Sequence, residues 1–390
     1  MEMNNRKIKV AYFAGSLQLG HDGVTRVLYK LIDNLKRYNI ESMFFSPIIP
    51  GKEDQPVQMF SVPSFTFPLY KEYKFAIPGQ RYFEDKLKEF QPDLIHINSP
   101  CSLGYAAVKY GTRNGIPVAA TYHTHFASYA KYYKIKAFEN ISWNYFRKIY
   151  NACQIVYVPS QPILDELQLH GINNLKYLPH GVDTKTFNTL FYSKDWKRKN
   201  NIEGKTAVLF VGRLVWEKDL ETLANSYKII MNARDDVSFV IVGDGPIKDE
   251  LVKLMPRALF LGYQSGSQLA EAYASSDIFV FPSTTETFGN VTLEAMASGL
   301  PPICAREGGA YGVIKEGING LTAMPRDPVD LSKKINLLLD FPEIRKYLRN
   351  NAILYANEQT WDKIFQKLVN SYQKLISEYN ETGYKKIKAA

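Results

Sequence analysis

The chain has 390 residues, 45% hydrophobic and 22% charged, a globular composition too long for one ordinary core, right for two α/β domains, and against extended disorder. No apolar run approaches the roughly 20 residues that cross a bilayer, and the opening "MEMNNRKIKVAYFAG" lacks a signal-peptide pattern, so a cytoplasmic setting is expected. The net charge of +9 suits anionic partners, but its basic residues are spread along most of the chain without a recognition motif, which argues against nucleic acid.

In chain order, the runs "KVAYFAG", "SMFFSP", "MFSVP", "DLIHI", "VAATYH" and "QIVYVPS" read as strands of a first half. After the first of them, "VTRVLYKLIDNLKRY" sets Val27, Leu28, Leu31 and Leu35 on one helical side. The second half restarts with "TAVLFVGR", "SFVIVGDG", "ALFLGY", "DIFVFPS" and "PPICA". This alternation predicts an α/β protein with two doubly wound parallel sheets. The expected divisions are a first domain over 1–187, a polar, basic linker over 188–204, a second domain over 205–357 and a last helical segment over 358–390. Cys101, Cys153 and Cys304 have neither metal-ligand nor redox spacing, which fits a reducing compartment.

Open α/β sheets bind ligands at the carboxyl ends of their strands, and the candidate residues cluster there. Gly15, Gly20 and Gly23 lie between the first strand and its helix, where a backbone can approach a phosphate. Their spacing is not the dinucleotide fingerprint, and ordinary βα turns use glycine too. In "VGRLVWEKDLETL", Arg213 follows a strand and Lys218 stands near the next helix, two cations suited to a diphosphate. "VGDGP", from Gly243, gives a tight turn that can lie under a base or be a turn only. In "FPSTTETFGNVTLEAMASGLPPI" a helix is expected from about Asn290, presenting the amides of Gly289, Asn290 and Val291 to phosphate. Glu294 then lies about one turn inside, in reach of a ribose, and Glu286 faces whatever the phosphates carry. No histidine accompanies these acids, so a metal site is not expected.

In the first half, "TYHTHFASY" puts His123 directly after a strand, with His125 close by, and "LPHGVD" reads as a cleft-lining turn. From 129 to 150 aromatics mix with Lys131, Lys134, Lys136, Arg147 and Lys148, which suits an anionic membrane surface. The same stretch sets Ile135, Phe138, Ser142, Tyr145 and Ile149 on one helical face, which suits a protein core instead. Both readings stay open.

Together, "HGVDTKTF", "VGRLVWEK", "VGDGP" and above all "ETFGNVTLEAMASGLP" resemble the retaining GT-B glycosyltransferases of family 4. "DGVTR" with "YHTHF" is most similar to the branch of diacylglycerol-linked glycosyl- and mannosyltransferases. The resemblance implies two Rossmann-like domains facing a cleft, with a last helix crossing back to the first. It implies transfer of a hexose, glucose or mannose, from a UDP- or GDP-sugar to a glycan or lipid hydroxyl, without a metal or other cofactor. By the same resemblance Arg213 and Lys218 meet the donor diphosphate, Glu286 the sugar hydroxyls, Glu294 the ribose, and Gly15 or Gly23 the phosphates. His123 would lie near the transferred sugar and the acceptor. Two departures stand out: Asp219 occupies a position where the family often has glycine, and "REGGAYGVI" replaces the usual short acidic run. A sugar-nucleotide epimerase of the same fold, or a nucleotide-sugar binding protein without activity, remains the alternative.

Overall fold

A computed structural model describes residues 6–18, 23–67, 70–77, 81–123 and 136–387. The chain forms two compact units. Unit 1 comprises residues 1–159, 164–178 and 364–390, and unit 2 comprises 160–163 and 179–363.

Unit 1 carries β1 (Ile8–Phe13), β2 (Ile40–Ser46), β3 (Gln58–Ser61), the hairpin strands β4 (Ser64–Phe67) and β5 (Tyr70–Ala76), then β6 (Leu94–Ile97), β7 (Val118–Thr121), β8 (Ile155–Val158) and β9 (Leu175–Tyr177). Seven of these form one sheet in the order β3-β2-β1-β6-β7-β8-β9, while β4 and β5 pair only with each other. Every pairing in the large sheet is parallel. The strand residues are apolar on both faces because helices cover both, and Val10, Leu94, Ile95, Ala119 and Val156 are fully buried. The Gly23–Leu35 helix buries Val27, Leu28, Leu31 and Leu35, the side its periodicity marks.

The last helix, Trp361–Ile387, runs from unit 2 into unit 1. In unit 1 it brings Tyr372 to within 2.5 Å of His96 Nδ1 and 3.4 Å of the Tyr12 hydroxyl. Thr121 Oγ1 stands 2.8 Å from the other ring nitrogen of His96. Ser371 accepts from both Tyr157 and Lys176 at 2.8 Å. Such a seam is tolerated in a buried place because its polar atoms find partners.

Unit 2 carries β10 (Thr206–Val211), β11 (Val237–Val242), β12 (Leu259–Gly262), β13 (Ile278–Phe281), β14 (Pro302–Ala305) and β15 (Leu321–Ala323). These form a parallel sheet in the order β12-β11-β10-β13-β14-β15. The chain winds outward from β10 to β12 and then restarts on the other side at β13. A crevice therefore opens at the carboxyl ends of β10 and β13, the switch point of a doubly wound sheet.

Two expectations need correction. The stretch 188–204 is not a linker between units. It belongs to unit 2, where Trp196 and Ile202 join the core and Lys197 donates to Asp277 at 2.6 Å. Its basic composition disguised two anchoring apolar residues. In the Lys136–Tyr150 helix, the buried side is Trp143, Phe146, Ile149 and Tyr150, while Ile141 is 64% and Tyr145 38% exposed. Of the face read from the sequence, Ile149 is buried, Ser142 half-buried and Tyr145 exposed, while Ile135 and the side chain of Phe138 lie outside the described residues.

Candidate functional site

The switch point of unit 2 gathers most of the residues singled out in the sequence. Arg213 lies exposed just beyond β10, and the short helical turn Trp216–Lys218 follows it. Beyond β13, the loop through Ser283, Thr284, Thr285 and Glu286 leads to the Asn290–Ala297 helix. Lys218 and Glu286 form an ion pair across these two loops, with side chains only 16% and 23% exposed. Partial burial leaves little solvent to screen the pair.

The helix begins after Gly289, whose φ of 77° is the left-handed region that favours glycine. By helix geometry the first amides, including those of Asn290 and Val291, have no acceptor within the helix. The Asn290 side chain is held at 2.8 Å by His180 Nδ1, from the "LPHGVD" turn. Burial pushes the His180 imidazole down to about 4, so it is neutral at physiological pH. Glu294 lies one turn inside, and its carboxylate accepts from the Tyr273 hydroxyl at 3.1 Å.

Several contacts hold the Glu286 loop that the sequence did not announce. The Gly309 amide donates to the Glu286 carbonyl at 2.6 Å. A Cβ on Gly309 would stand 1.9 Å from the Thr287 carbonyl oxygen, and one on Gly308 2.5 Å from that of Thr284. The "GG" of "REGGAYGVI" is therefore a packing device under the loop. Thr285 Oγ1 donates to the Glu217 carbonyl at 2.9 Å, next to Lys218. Asp219 is buried with its carboxylate turned onto Thr284, and Arg326 approaches from the loop after β15. Burial pushes the Asp219 carboxyl up, while Thr284 and Arg326 pull it back.

"VGDGP" has a packing reason as well. A Cβ on Gly243 would lie 1.9 Å from the Gly212 carbonyl oxygen, and one on Gly245 2.2 Å from that of Leu214. These glycines let the turn lie against the Arg213 loop.

At the matching end of the unit 1 sheet, Gly15 is half-buried after β1 and Gly23 starts its helix exposed. His123 follows β7, buried, with Nε2 at 3.2 Å from Asn98 Oδ1. Asn98 was not singled out in the sequence; its amide donates to the Phe13 carbonyl at 2.8 Å, across the β1–β6 switch point. Gly20, His125, Lys131 and Lys134 lie outside the described residues, as does the side chain of Lys136. Among the described residues, no group of three or more His, Cys, Asp or Glu could hold a metal. No helix among them is long and apolar enough to cross a membrane.

Two doubly wound α/β units, one with cations and acids at its switch point, are the parts from which GT-B enzymes are built. The family described as Glycosyl transferases group 1 matches residues 193–355, and Glycosyltransferase Family 4 matches residues 21–186. A GDP-mannose-dependent alpha-mannosyltransferase of Corynebacterium glutamicum is 32% identical over 386 residues, covering 95% of this chain and 90% of that one. An alpha-monoglucosyldiacylglycerol synthase of Acholeplasma laidlawii is 24% identical, covering 93% and 96%. Among solved structures, Anabaena Alr3699/HepE in complex with UDP superposes with a TM-score of 0.77 at 18% identity, covering 94% of this chain and 100% of that one. The chain belongs to glycosyltransferase family 4, and it is an enzyme of that class.

Proposed function

We propose that this glycosyltransferase moves a hexose from a nucleotide sugar to an acceptor hydroxyl, with retention at the anomeric carbon and without a metal. The Lys218–Glu286 pair at the β10–β13 switch point carries this reading, because it joins a diphosphate-binding cation to a sugar-binding acid in one place. Arg213, Lys218 and the first amides of the Asn290–Ala297 helix take the diphosphate, and Glu294 takes the ribose diol. In unit 1, His123 and Asn98 are the candidates for meeting the acceptor.

In the step itself, the bond from the anomeric carbon to the diphosphate oxygen breaks. The acceptor oxygen bonds to that carbon on the same face, and its proton passes to the leaving phosphate. Positive charge and amide dipoles fixed around the leaving group stabilise the charge that grows there. Those groups supply the work a divalent cation would otherwise do, so chelation by EDTA should leave the rate unchanged.

GDP-mannose is the first donor to test, because a mannosyltransferase dependent on it is similar over nearly the whole chain. A diacylglycerol-type lipid is a supported acceptor, because a glucosyldiacylglycerol synthase is also similar over nearly the whole chain. Contact with an anionic membrane is part of the same reading. It is supported by exposed Ile141 and Tyr145 on a helix that also exposes Lys148.

The test is a thermal-shift screen of UDP, GDP and ADP, then turnover of the matching sugar nucleotide with a panel of lipid acceptors. Product of retained anomeric configuration, formed only when acceptor is present, is the expected result. Conversion of the sugar nucleotide alone would establish the epimerase reading instead. Flotation with anionic vesicles, and not with neutral ones, is expected for the membrane contact.

A further inference from the structure

We propose that Asp219, Thr284 and Arg326 are positioning residues that preset the Lys218–Glu286 spacing for catalysis. The inference rests on the donor-site reading above and deepens it.

Asp219 adjoins Lys218 in sequence, and Thr284 lies two residues before Glu286. The Asp219 carboxylate accepts from Thr284 twice, from the backbone amide at 3.0 Å and from Oγ1 at 2.6 Å. One hydroxyl then completes a chain, because Thr284 Oγ1 also accepts from Arg326 Nη2 at 2.8 Å. Arg326 Nε stands 3.4 Å from the other Asp219 oxygen, and Nη1 3.4 Å from Glu307. Glu307 precedes Gly308 and Gly309, and the Gly309 amide holds the Glu286 carbonyl. Arg326 thereby ties the loops after β10, β13, β14 and β15 to one another.

Backbone strain points the same way. Asp219 has φ 54° and Arg326 φ 57°, both left-handed. A side chain there costs about 1–2 kcal/mol relative to glycine, and such residues persist where their surroundings over-determine them. Among the described residues the others of this kind are Asn39, Asn174, Asn201 and Gln91, and asparagine, like aspartate, tolerates this region. Arg326 has no such tolerance, and its side chain and that of Asp219 converge on one threonine. At 6% exposed, the Asp219 side chain is too buried to be a solvated acid beside the site. The departure from glycine is thus a built contact.

The test compares Asp219→Asn, Arg326→Gln, the double variant Asp219→Asn/Arg326→Gln and Thr284→Val with the unaltered enzyme. Thr284→Val keeps the shape and removes only the shared hydroxyl, so it serves if an Asp219 variant does not fold. Three readouts are taken well below the thermal midpoint: kcat with the sugar nucleotide, Kd for the nucleoside diphosphate, and the midpoint itself. Loosened spacing predicts a fall in kcat of about tenfold or more, the scale of a sub-ångström misplacement, with diphosphate Kd within about threefold. The double variant should fall no further than its worse component, since all three residues form one device.

A kcat within twofold of the unaltered enzyme in folded Thr284→Val overturns the proposal. So does a loss that only tracks the midpoint, or losses that add. Lys218→Ala, measured alongside, separates the two levels. If it too turns over normally, the donor-site reading fails; if it alone is impaired, only the positioning role fails.

Discussion

Lys218→Ala removes one member of the ion pair and leaves the helix amides and Arg213 in place. The Lys218 side chain is 16% exposed and that of Glu286 23%, so neither charge is fully hydrated and the local dielectric is well below that of water. Losing one preorganised donor aimed at charge that grows in the transition state costs about 2.7–4 kcal/mol, or about 10²–10³ in turnover. The folded state loses less. Glu286 keeps partial access to water, so the stability cost is on the order of 1 kcal/mol, a shift of about 2–4 °C in a unit of this size. The assay is initial rate at saturating donor, with thermal midpoint measured on the same sample. Turnover within threefold of the unaltered enzyme, in a folded protein, refutes the assignment. Glu286→Gln supplies the complementary reading. It should also depress turnover, yet nucleoside diphosphate should bind at least as tightly, because Lys218 no longer has a carboxylate to satisfy. If diphosphate binding weakens together with turnover, Glu286 does not act on the sugar.

Glu294→Ala should raise the donor KM about tenfold, the worth of one charge-assisted hydrogen bond, with a smaller change in kcat. A 2′-deoxyribose donor should then bind the variant no worse than the ordinary donor does, and an additive penalty refutes the ribose role. Gly309→Ala should destabilise unit 2 by about 1–3 kcal/mol, since its Cβ would meet the Thr287 carbonyl oxygen at 1.9 Å; an unchanged denaturation midpoint would mean the loop has room. Acid should weaken both units. Burial pushes His96 down to about 3 and His180 to about 4, so between pH 6.5 and those values the unfolded chain binds protons that the folded chain does not. Stability therefore falls as pH falls, by about 1.4 kcal/mol per pH unit for each histidine. Denaturation of the intact chain at pH 7 and pH 5 measures the slope, and His96→Gln should flatten it.

The strands legible in the sequence are those with a compact apolar run, most of them buried on both faces. Each of "VAYF", "LIHI", "VSFVIV" and "IFVF" supplies a full strand core. The strands missed are of two kinds. β9 and β15 have three residues each and sit at sheet edges, so neither is long enough to display a period. The β4–β5 hairpin pairs only with itself, and its Phe65 is 53% exposed, so it carries no core signature. The candidate site divides the same way. Lys218 and Glu286 were legible because each lies in a compact motif beside a strand end. Arg326 and Tyr273 were not, because each reaches its partner across the fold from a stretch with no pattern of its own.

Glycine shows why pattern alone stops short. A glycine at a strand end says that something comes close to the backbone, and it does not say what. In "VGDGP" the close object is the protein's own Gly212 and Leu214 carbonyls, and in "REGGAYG" it is those of Thr284 and Thr287. A phosphate would ask for the same residue. The charged pair is more discriminating, because an exposed loop gains little from setting a lysine against a glutamate in partial burial. The proposed function gives that arrangement a use, because a ligand would take over both partners, the diphosphate one and the sugar the other. Glycines thus mark which loops meet, and the Lys218–Glu286 pair is why the proposed function sets its chemistry at this meeting.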